Sequence, residues 1–109
     1  MRRFPSTRLR RNREQDFVRR LVRENRVSAD DLIYPMFVID GTNIQTDIPS
    51  MPGISRLSVD LAVNEAKMLF ELGLPAIALF PNVDATLRTL DGAEAYNEQG
   101  LVPTAVRAI

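Results

Sequence analysis

The sequence predicts an α/β fold with parallel strands, preceded by a basic arm. A segment with helical spacing separates two short segments rich in β-branched and aromatic residues, the order of a β-strand, α-helix, β-strand unit. The second of these, AIALF at residues 76–80, is apolar throughout, as in parallel strands covered on both faces. Residues 1–26 hold ten arginines and three acids, whereas the rest holds four basic and eleven acidic residues. We therefore predict an arm at residues 1–27 and an α/β body at 28–109.

The arm has two parts with different patterns. Residues 1–13 lack apolar periodicity and contain Phe4-Pro5, so we expect an extended segment that needs a surface to dock on. A short amphipathic helix that ends near Asn25 is predicted next. Its apolar stripe consists of Phe17, Val18, Leu21 and Val22.

The first strand of the body is predicted at residues 32–40, LIYPMFVID. Ser28 and Asp31 precede it at the spacing of a one-turn capping device. Pro35 requires a sheet edge, a bulge or the first position of the strand, because proline lacks the amide hydrogen that a ladder needs. Residues 41–57 contain two prolines and two glycines, and we predict a loop there.

A helix is predicted between the two strands. Ser58 is placed as its N-cap, Asp60 lies in its first turn, and Gly73 suits the position just beyond its end. A second strand follows at residues 76–80, then a loop, and a further helix begins near Leu101. The apolar face of the first helix comprises Val59, Ala62, Val63, Ala66, Leu69 and Phe70.

Two strands and about one and a half helices cannot cover both faces of a parallel sheet. The sequence therefore predicts the front end of a larger protein.

Composition excludes several kinds of site. The sequence has no cysteine and no histidine, so we expect neither a disulfide framework nor a zinc site within this segment. The lack of cysteine is also typical of a protein in the reducing cytoplasm. No apolar run approaches the roughly 20 residues of a membrane span. Phosphate-binding glycine motifs and serine or cysteine nucleophile motifs are absent. Four acids in the loop after the second strand occupy the region where α/β proteins build sites, although a solvated loop is the favoured explanation: Asp84, Asp91, Glu94 and Glu98.

The order of several segments carries a family resemblance. TRLRRNREQDFVRRLVREN, DLIYPMFVIDG, IPSMPGISRLSVD, LGLPAIALFPNVD and GAEAYNEQGLVPTAVRAI follow one another from Thr7 to Ile109. This succession resembles the amino-terminal third of bacterial porphobilinogen synthases, also called δ-aminolevulinic acid dehydratases. Pro103-Thr104 departs from the pattern, since relatives tend to carry polar or basic residues there.

The resemblance implies a fold and an activity. The family folds as a (β/α)₈ TIM barrel with an arm that wraps a neighbouring subunit, usually in octamers. It condenses two molecules of 5-aminolevulinate into porphobilinogen with loss of water, in tetrapyrrole and heme synthesis. Two lysines on late barrel strands form Schiff bases with the substrates, and zinc or magnesium assists.

The resemblance places few functional residues in this chain. Lys67, the only lysine, lies on the polar side of the predicted helix, so we expect the Schiff-base lysines beyond Ile109 and neither a catalytic nor a metal-binding residue within the segment. Phe80 matches a phenylalanine that shapes the substrate pocket, with a core aromatic as the open alternative. The arm is expected to bind carboxylates of a sister subunit. Its interface residues are predicted to be Phe4, Arg8, Arg10, Arg11, Arg13 and Phe17.

Two other functions stay open at this point. The chain could be a non-catalytic assembly module that binds the full-length enzyme through its arm. Less favoured is a nucleic-acid-binding module that uses the arginine run, because that run has little aromatic interleaving. We expect no nucleic acid or membrane partner, a cytoplasmic location, and no activity from the segment alone.

Overall fold

The computed structural model describes residues 3–109. Met1 and Arg2 lie outside the described residues, and Arg2 is one of the ten arginines counted in the arm. The strands are β1 (Ile33–Ile39), β2 (Gln45–Asp47), β3 (Ser55–Ser58) and β4 (Ala76–Asn82). The helices are α1 (Arg11–Glu14), α2 (Asp16–Leu21), α3 (Val59–Glu71) and α4 (Leu101–Ala108).

One sheet holds the strands in the order β2-β3-β1-β4. β1 runs parallel to β4 along its whole length, from Ile33 opposite Ala76 to Ile39 opposite Asn82. β3 is also parallel to β1, whereas β2 is antiparallel to β3. Because α3 lies between β1 and β4 in the chain, the predicted strand, helix, strand unit is confirmed.

The bounds of α3 follow its sequence signals. Gly73 adopts φ 81° just beyond the C-cap residue Leu72, a left-handed conformation that glycine adopts without steric cost. Ser58 occupies the N-cap position, as predicted. Its hydroxyl, however, accepts a hydrogen bond from the Ile44 amide at 2.9 Å and none from the first turn of the helix. The predicted N-cap position is therefore confirmed, but the Ser58 side chain binds the Ile44 amide and not an amide of the first helical turn.

The core lies between one face of the sheet and the helices. Side chains alternate across a strand, so Met36 and Val38 of β1 point to the same face, where Ala62 and Leu69 of α3 bury them. Tyr34 on this face donates a hydrogen bond to Glu65 Oε1 of α3 at 3.1 Å. Burial and this bond raise the pKa of Tyr34. Half-buried residues that extend the core include Leu57, Ala66, Leu74, Ile77, Leu79 and Leu101.

The predicted loop at residues 41–57 is wrong, because it contains β2 and β3. β3 forms by backbone pairing with β1, which places Arg56 opposite Phe37 and Ser58 opposite Ile39. The two strands have only three and four residues, too few for a periodic signal. Both prolines of the segment, Pro49 and Pro52, lie in the turn between them. The strands thus depend on a tertiary partner that local sequence does not reveal.

Pro35 is accommodated by a local sheet edge, one of the solutions that the sequence allowed. It lies opposite Ala78 of β4, while the pairing of β1 with β3 covers only Phe37 to Ile39. Among residues 3–109, no strand pairs with the amino-terminal half of β1 on that side, so no amide donor is needed there.

The arm projects from the body. The radius of gyration is 21.7 Å, against about 13 Å for a compact domain of this length. Neither α1 nor α2 contains a buried residue. Two short helices separated by the extended residue Gln15 replace the predicted single helix, and α1 also takes up the last three residues of the predicted extended segment. Arginine is a good helix former, so forming one helical turn at α1 costs little free energy. Neither helix is longer because neither is stabilised by packing against the body.

Two further features complete the fold. The Ser28 amide donates to Asp31 Oδ2 at 2.8 Å, which confirms the predicted capping device before β1. Between residues 3 and 109, no helix is both long and apolar enough to cross a bilayer.

Candidate functional site

The candidate site is the face of the sheet opposite α3 and α4, here called the open face. Strand alternation assigns its residues, and they are almost all apolar. Ile33 is 66% exposed and Phe80 is 49% exposed. Within residues 3–109, other residues therefore pack on only one face of AIALF, whereas the sequence predicted that both faces would be covered. In β1 and β4 the open face consists of Ile33, Pro35, Phe37, Ile39, Ala76, Ala78, Phe80 and Asn82, and Arg56 of β3 lies opposite Phe37 on the same face.

Two aromatic rings meet on the open face. Phe37 of β1 and Phe80 of β4 are register partners in the parallel ladder. Their ring centroids are 5.5 Å apart and the ring planes are inclined by 32°, a separation within the favoured range for aromatic pairs. The pair lies toward the carboxyl ends of both strands, the edge where parallel α/β folds place ligands. Phe80, singled out from the sequence, therefore lies at a site-forming edge with an aromatic partner.

Sequence reasoning did not single out Phe37. A signal was available, because Met36 and Val38 face the core and strand alternation turns Phe37 to the other face. Its position opposite Phe80 depends on the register of β1 and β4, which the sequence does not reveal.

The acids after β4 stabilise turns. Asp84 Oδ1 accepts hydrogen bonds from the Thr86 hydroxyl at 2.6 Å and from the Thr86 amide at 2.8 Å, and these bonds lower the pKa of Asp84. The Thr89 hydroxyl and the Ala93 amide lower the pKa of Asp91 in the same way. A lowered pKa keeps a carboxylate ionised and disfavours it as a proton donor near neutral pH. These contacts favour the solvated-loop interpretation.

The other two acids of this loop also lie on its surface. Glu94 accepts a hydrogen bond from Asn97 Nδ2 at 3.1 Å, and the Glu98 carbonyl accepts one from Arg107 at 2.9 Å. The loop and the start of α4 enclose a cleft of about 660 Å³ beside the end of β4. Its lining is mostly apolar, with Arg88, Thr89 and Glu94 as polar members. No nucleophile and base pair lines it.

Lys67 lies exposed on α3, the helix on the covered face of the sheet. It is separated by the sheet from the open face. A lysine that forms a Schiff base needs an amine activated by desolvation or a neighbouring charge. The position of Lys67 does not meet this need.

The residues of this chain do not fit a metal centre. The sequence has no cysteine or histidine, and among residues 3–109 no three acidic side chains come together. Zinc favours nitrogen and sulfur ligands, and magnesium is usually bound through carboxylates. We therefore assign no metal-dependent step to these residues.

The arm forms a second, separate surface. The Arg8 guanidinium lies over the Phe4 ring, 5.3 Å from its centroid, in cation–π geometry. Phe4 is 81% exposed and Phe17 is 62% exposed. Arg11 and Phe17 are exposed but do not line the shallow cleft that the other predicted interface residues share. The cleft is lined by Phe4, Arg8, Leu9, Arg10 and Arg13.

Comparison with known proteins gives a consistent result. Residues 6–109 match the family model described as delta-aminolevulinic acid dehydratase. The enzyme of that name from Bradyrhizobium diazoefficiens is 55% identical over 100 residues, which cover 92% of this chain and 28% of the relative. The one from Synechocystis is 43% identical over 106 residues, which cover 97% and 32%. The chain thus spans about a third or less of the length of these curated relatives.

A solved structure is similar as well. The crystal structure of delta-aminolevulinic acid dehydratase (porphobilinogen synthase) from Toxoplasma gondii, in complex with the reaction product porphobilinogen, superposes with a TM-score of 0.83 at 45% identity. The match covers 94% of this chain and 29% of that one. This likeness confirms the predicted fold class, the first part of a (β/α)₈ TIM barrel preceded by an arm.

Proposed function

Since the chain belongs to the delta-aminolevulinic acid dehydratase family, we propose that it forms the arm and first barrel strands of a porphobilinogen synthase. The whole enzyme would condense two molecules of 5-aminolevulinate into porphobilinogen with loss of water. The observation that carries this proposal is the open apolar face beside a parallel β1–β4 pair whose other face is covered by helices. In a TIM barrel the helices lie outside and side chains of this kind fill the interior.

Within that enzyme, this chain would shape the pocket and leave the bond-forming chemistry to later residues. Phe80 is proposed to contact the carbon chain of 5-aminolevulinate, because its ring is half exposed at the carboxyl edge of the sheet. An apolar ring there excludes water and limits the orientations of the substrate. The two Schiff-base lysines would lie beyond Ile109.

The finer properties of the whole enzyme are also proposals. The arm would hold sister subunits together in an octamer, with its arginines paired to carboxylates of the neighbour. Zinc or magnesium would be bound by residues outside this chain. A cytoplasmic location stays a prediction from the absence of cysteine.

A chimeric enzyme tests the proposed function. In this chimera, residues 1–109 replace the amino-terminal segment of the Bradyrhizobium diazoefficiens relative, up to the position that matches Ile109. We expect it to convert 5-aminolevulinate to porphobilinogen, because the substituted segment supplies the same arm and strands. Porphobilinogen is measured by chromatography with authentic product as the standard.

The isolated 109-residue chain serves as the matched control and should form no porphobilinogen, since it lacks an activated lysine. A chimera that folds with the mass and circular dichroism of the relative but makes no porphobilinogen would contradict the proposal. Product from the isolated chain would contradict it as well.

A further inference from the structure

We propose that Phe37 is a positioning residue that holds the Phe80 ring in its substrate-contacting orientation. This inference rests on the proposed function, because it assigns a partner to the residue proposed to contact 5-aminolevulinate. Phe37 would touch Phe80 and act on the substrate through it.

The contact between the two rings is direct. Phe37 and Phe80 are opposite each other in the ladder, and their centroids are 5.5 Å apart with ring planes inclined by 32°. Side chains opposite each other in a ladder are the pairs that interact most strongly across strands. A tilted aromatic pair also favours one mutual orientation through the ring quadrupoles.

Phe37 has the better anchored backbone of the two. It is paired on both sides, with Arg56 of β3 and with Phe80 of β4. Its chain neighbours Met36 and Val38 are 2% and 0% exposed in the core. Movement of Phe37 would therefore disturb the most tightly packed part of the sheet.

The ring of Phe80 is less enclosed than that of Phe37. Pro81 follows Phe80 directly and has no amide hydrogen to donate to the ladder. The ring of Phe80 is 49% exposed, whereas Phe37 is half-buried. An exposed ring can adopt other staggered χ1 rotamers unless a neighbour restricts it. Phe37 is the aromatic neighbour placed to impose that restriction.

The two rings carry no group that exchanges a proton or an electron pair in the reaction. Loss of the Phe37 ring should therefore weaken substrate binding and leave the chemical step unchanged. Such a change raises KM while kcat stays nearly constant. If Phe37 had a purely structural role, its loss would lower the thermal stability but would not raise KM selectively at constant kcat.

The experiment uses the chimera with the Phe37→Leu, Phe80→Leu and double substitutions. We expect each single substitution to raise the KM for 5-aminolevulinate roughly threefold to tenfold, the range that corresponds to loss of an aromatic pair. The double variant should have the KM of Phe80→Leu, because Phe37 acts only through Phe80. Phe37→Tyr keeps the ring and should retain the original KM.

Leu69→Ala is the matched control, since it removes a buried apolar side chain of α3 from the core on the opposite face of the sheet. It should lower the melting temperature without changing KM. If Phe37→Leu fails to fold, Phe37→Met, which keeps the volume without the ring, should show the same rise in KM.

Unchanged KM in the Phe37 variants, with raised KM in Phe80→Leu, would overturn the role of Phe37 and leave the proposed function standing. Multiplied effects in the double variant would overturn it too, because the residues would then act independently. An inactive unsubstituted chimera would contradict the proposed function itself, and with it this inference.

Discussion

Deleting residues 1–27 from the chimera is expected to convert the octamer that we propose for the whole enzyme into dimers or monomers. Neither α1 nor α2 contains a buried residue, and among residues 3–27 only Arg19 and Arg20 pair with a carboxylate of the arm, Asp16, so its other exposed apolar and basic groups can contact another subunit. Phe4 and Phe17 are exposed, and burial of such rings together with arginine–carboxylate pairs would provide most of the contact. The mass in solution, measured by light scattering, checks the expectation.

Charge reversal tests the contribution of the arginines to assembly without removing the rest of the arm. Arg8→Glu combined with Arg11→Glu should reduce the assembly in the same direction as the deletion. Lys67→Glu makes the same change of charge as one of these two substitutions, at an exposed position on α3, and should leave the mass unchanged. Because the Debye length falls from about 8 Å to about 3 Å between 0.15 M and 1 M salt, high salt should weaken the assembly. An arm-deleted chimera that keeps the same number of subunits per assembly would contradict the proposed interface.

Met36→Ala is expected to destabilise the chimera by about 2–5 kcal/mol, the usual effect of truncating a buried methionine. Met36 is 2% exposed and packs with Val38, Ala62 and Leu69 between β1 and α3. The alanine removes these contacts and leaves a cavity at the centre of the core. The urea concentration at half unfolding, followed by circular dichroism, measures the effect.

Met68→Ala is the matched control for this core substitution. Met68 lies on α3, the helix that packs over Met36, but is 45% exposed, so its truncation removes little buried surface. The urea concentration at half unfolding of this variant should stay close to that of the unsubstituted chimera. Equal shifts in the two variants would contradict the assignment of the core to the α3 face of the sheet.

The sequence predicted β1, α3 and β4 because each carries a local signal. α3 has apolar residues at helical spacing, an N-cap serine and a terminal glycine, and β4 is a continuous apolar run. Such signals act within one element and do not need the rest of the fold.

The sequence did not predict β2 and β3, and the reason is physical. β3 is set by its pairing with β1, in which Val38 lies opposite Leu57, and that contact joins residues far apart in the chain. Ser58 shows the same effect at a single side chain, because its hydroxyl binds the Ile44 amide. Tertiary pairing overrides local propensity at both places.

The candidate site was predictable in part. Phe80 stands out at the end of an apolar strand, but the Phe37–Phe80 pair depends on register, which no local pattern specifies. The arm residues were recognisable from charge and from family resemblance. That four of them, Phe4, Arg8, Arg10 and Arg13, line one cleft depends on the fold of the arm, which no local pattern specifies.

Borohydride trapping in the chimera tests most directly whether this chain shapes the pocket while later residues perform the chemistry. Borohydride reduces a Schiff base to a stable amine, so isotopically labelled 5-aminolevulinate becomes attached to each lysine that forms one. Peptide mapping by mass spectrometry should locate the label only on lysines outside the substituted segment. Label on Lys67, or a folded chimera with no label at all, would contradict the account.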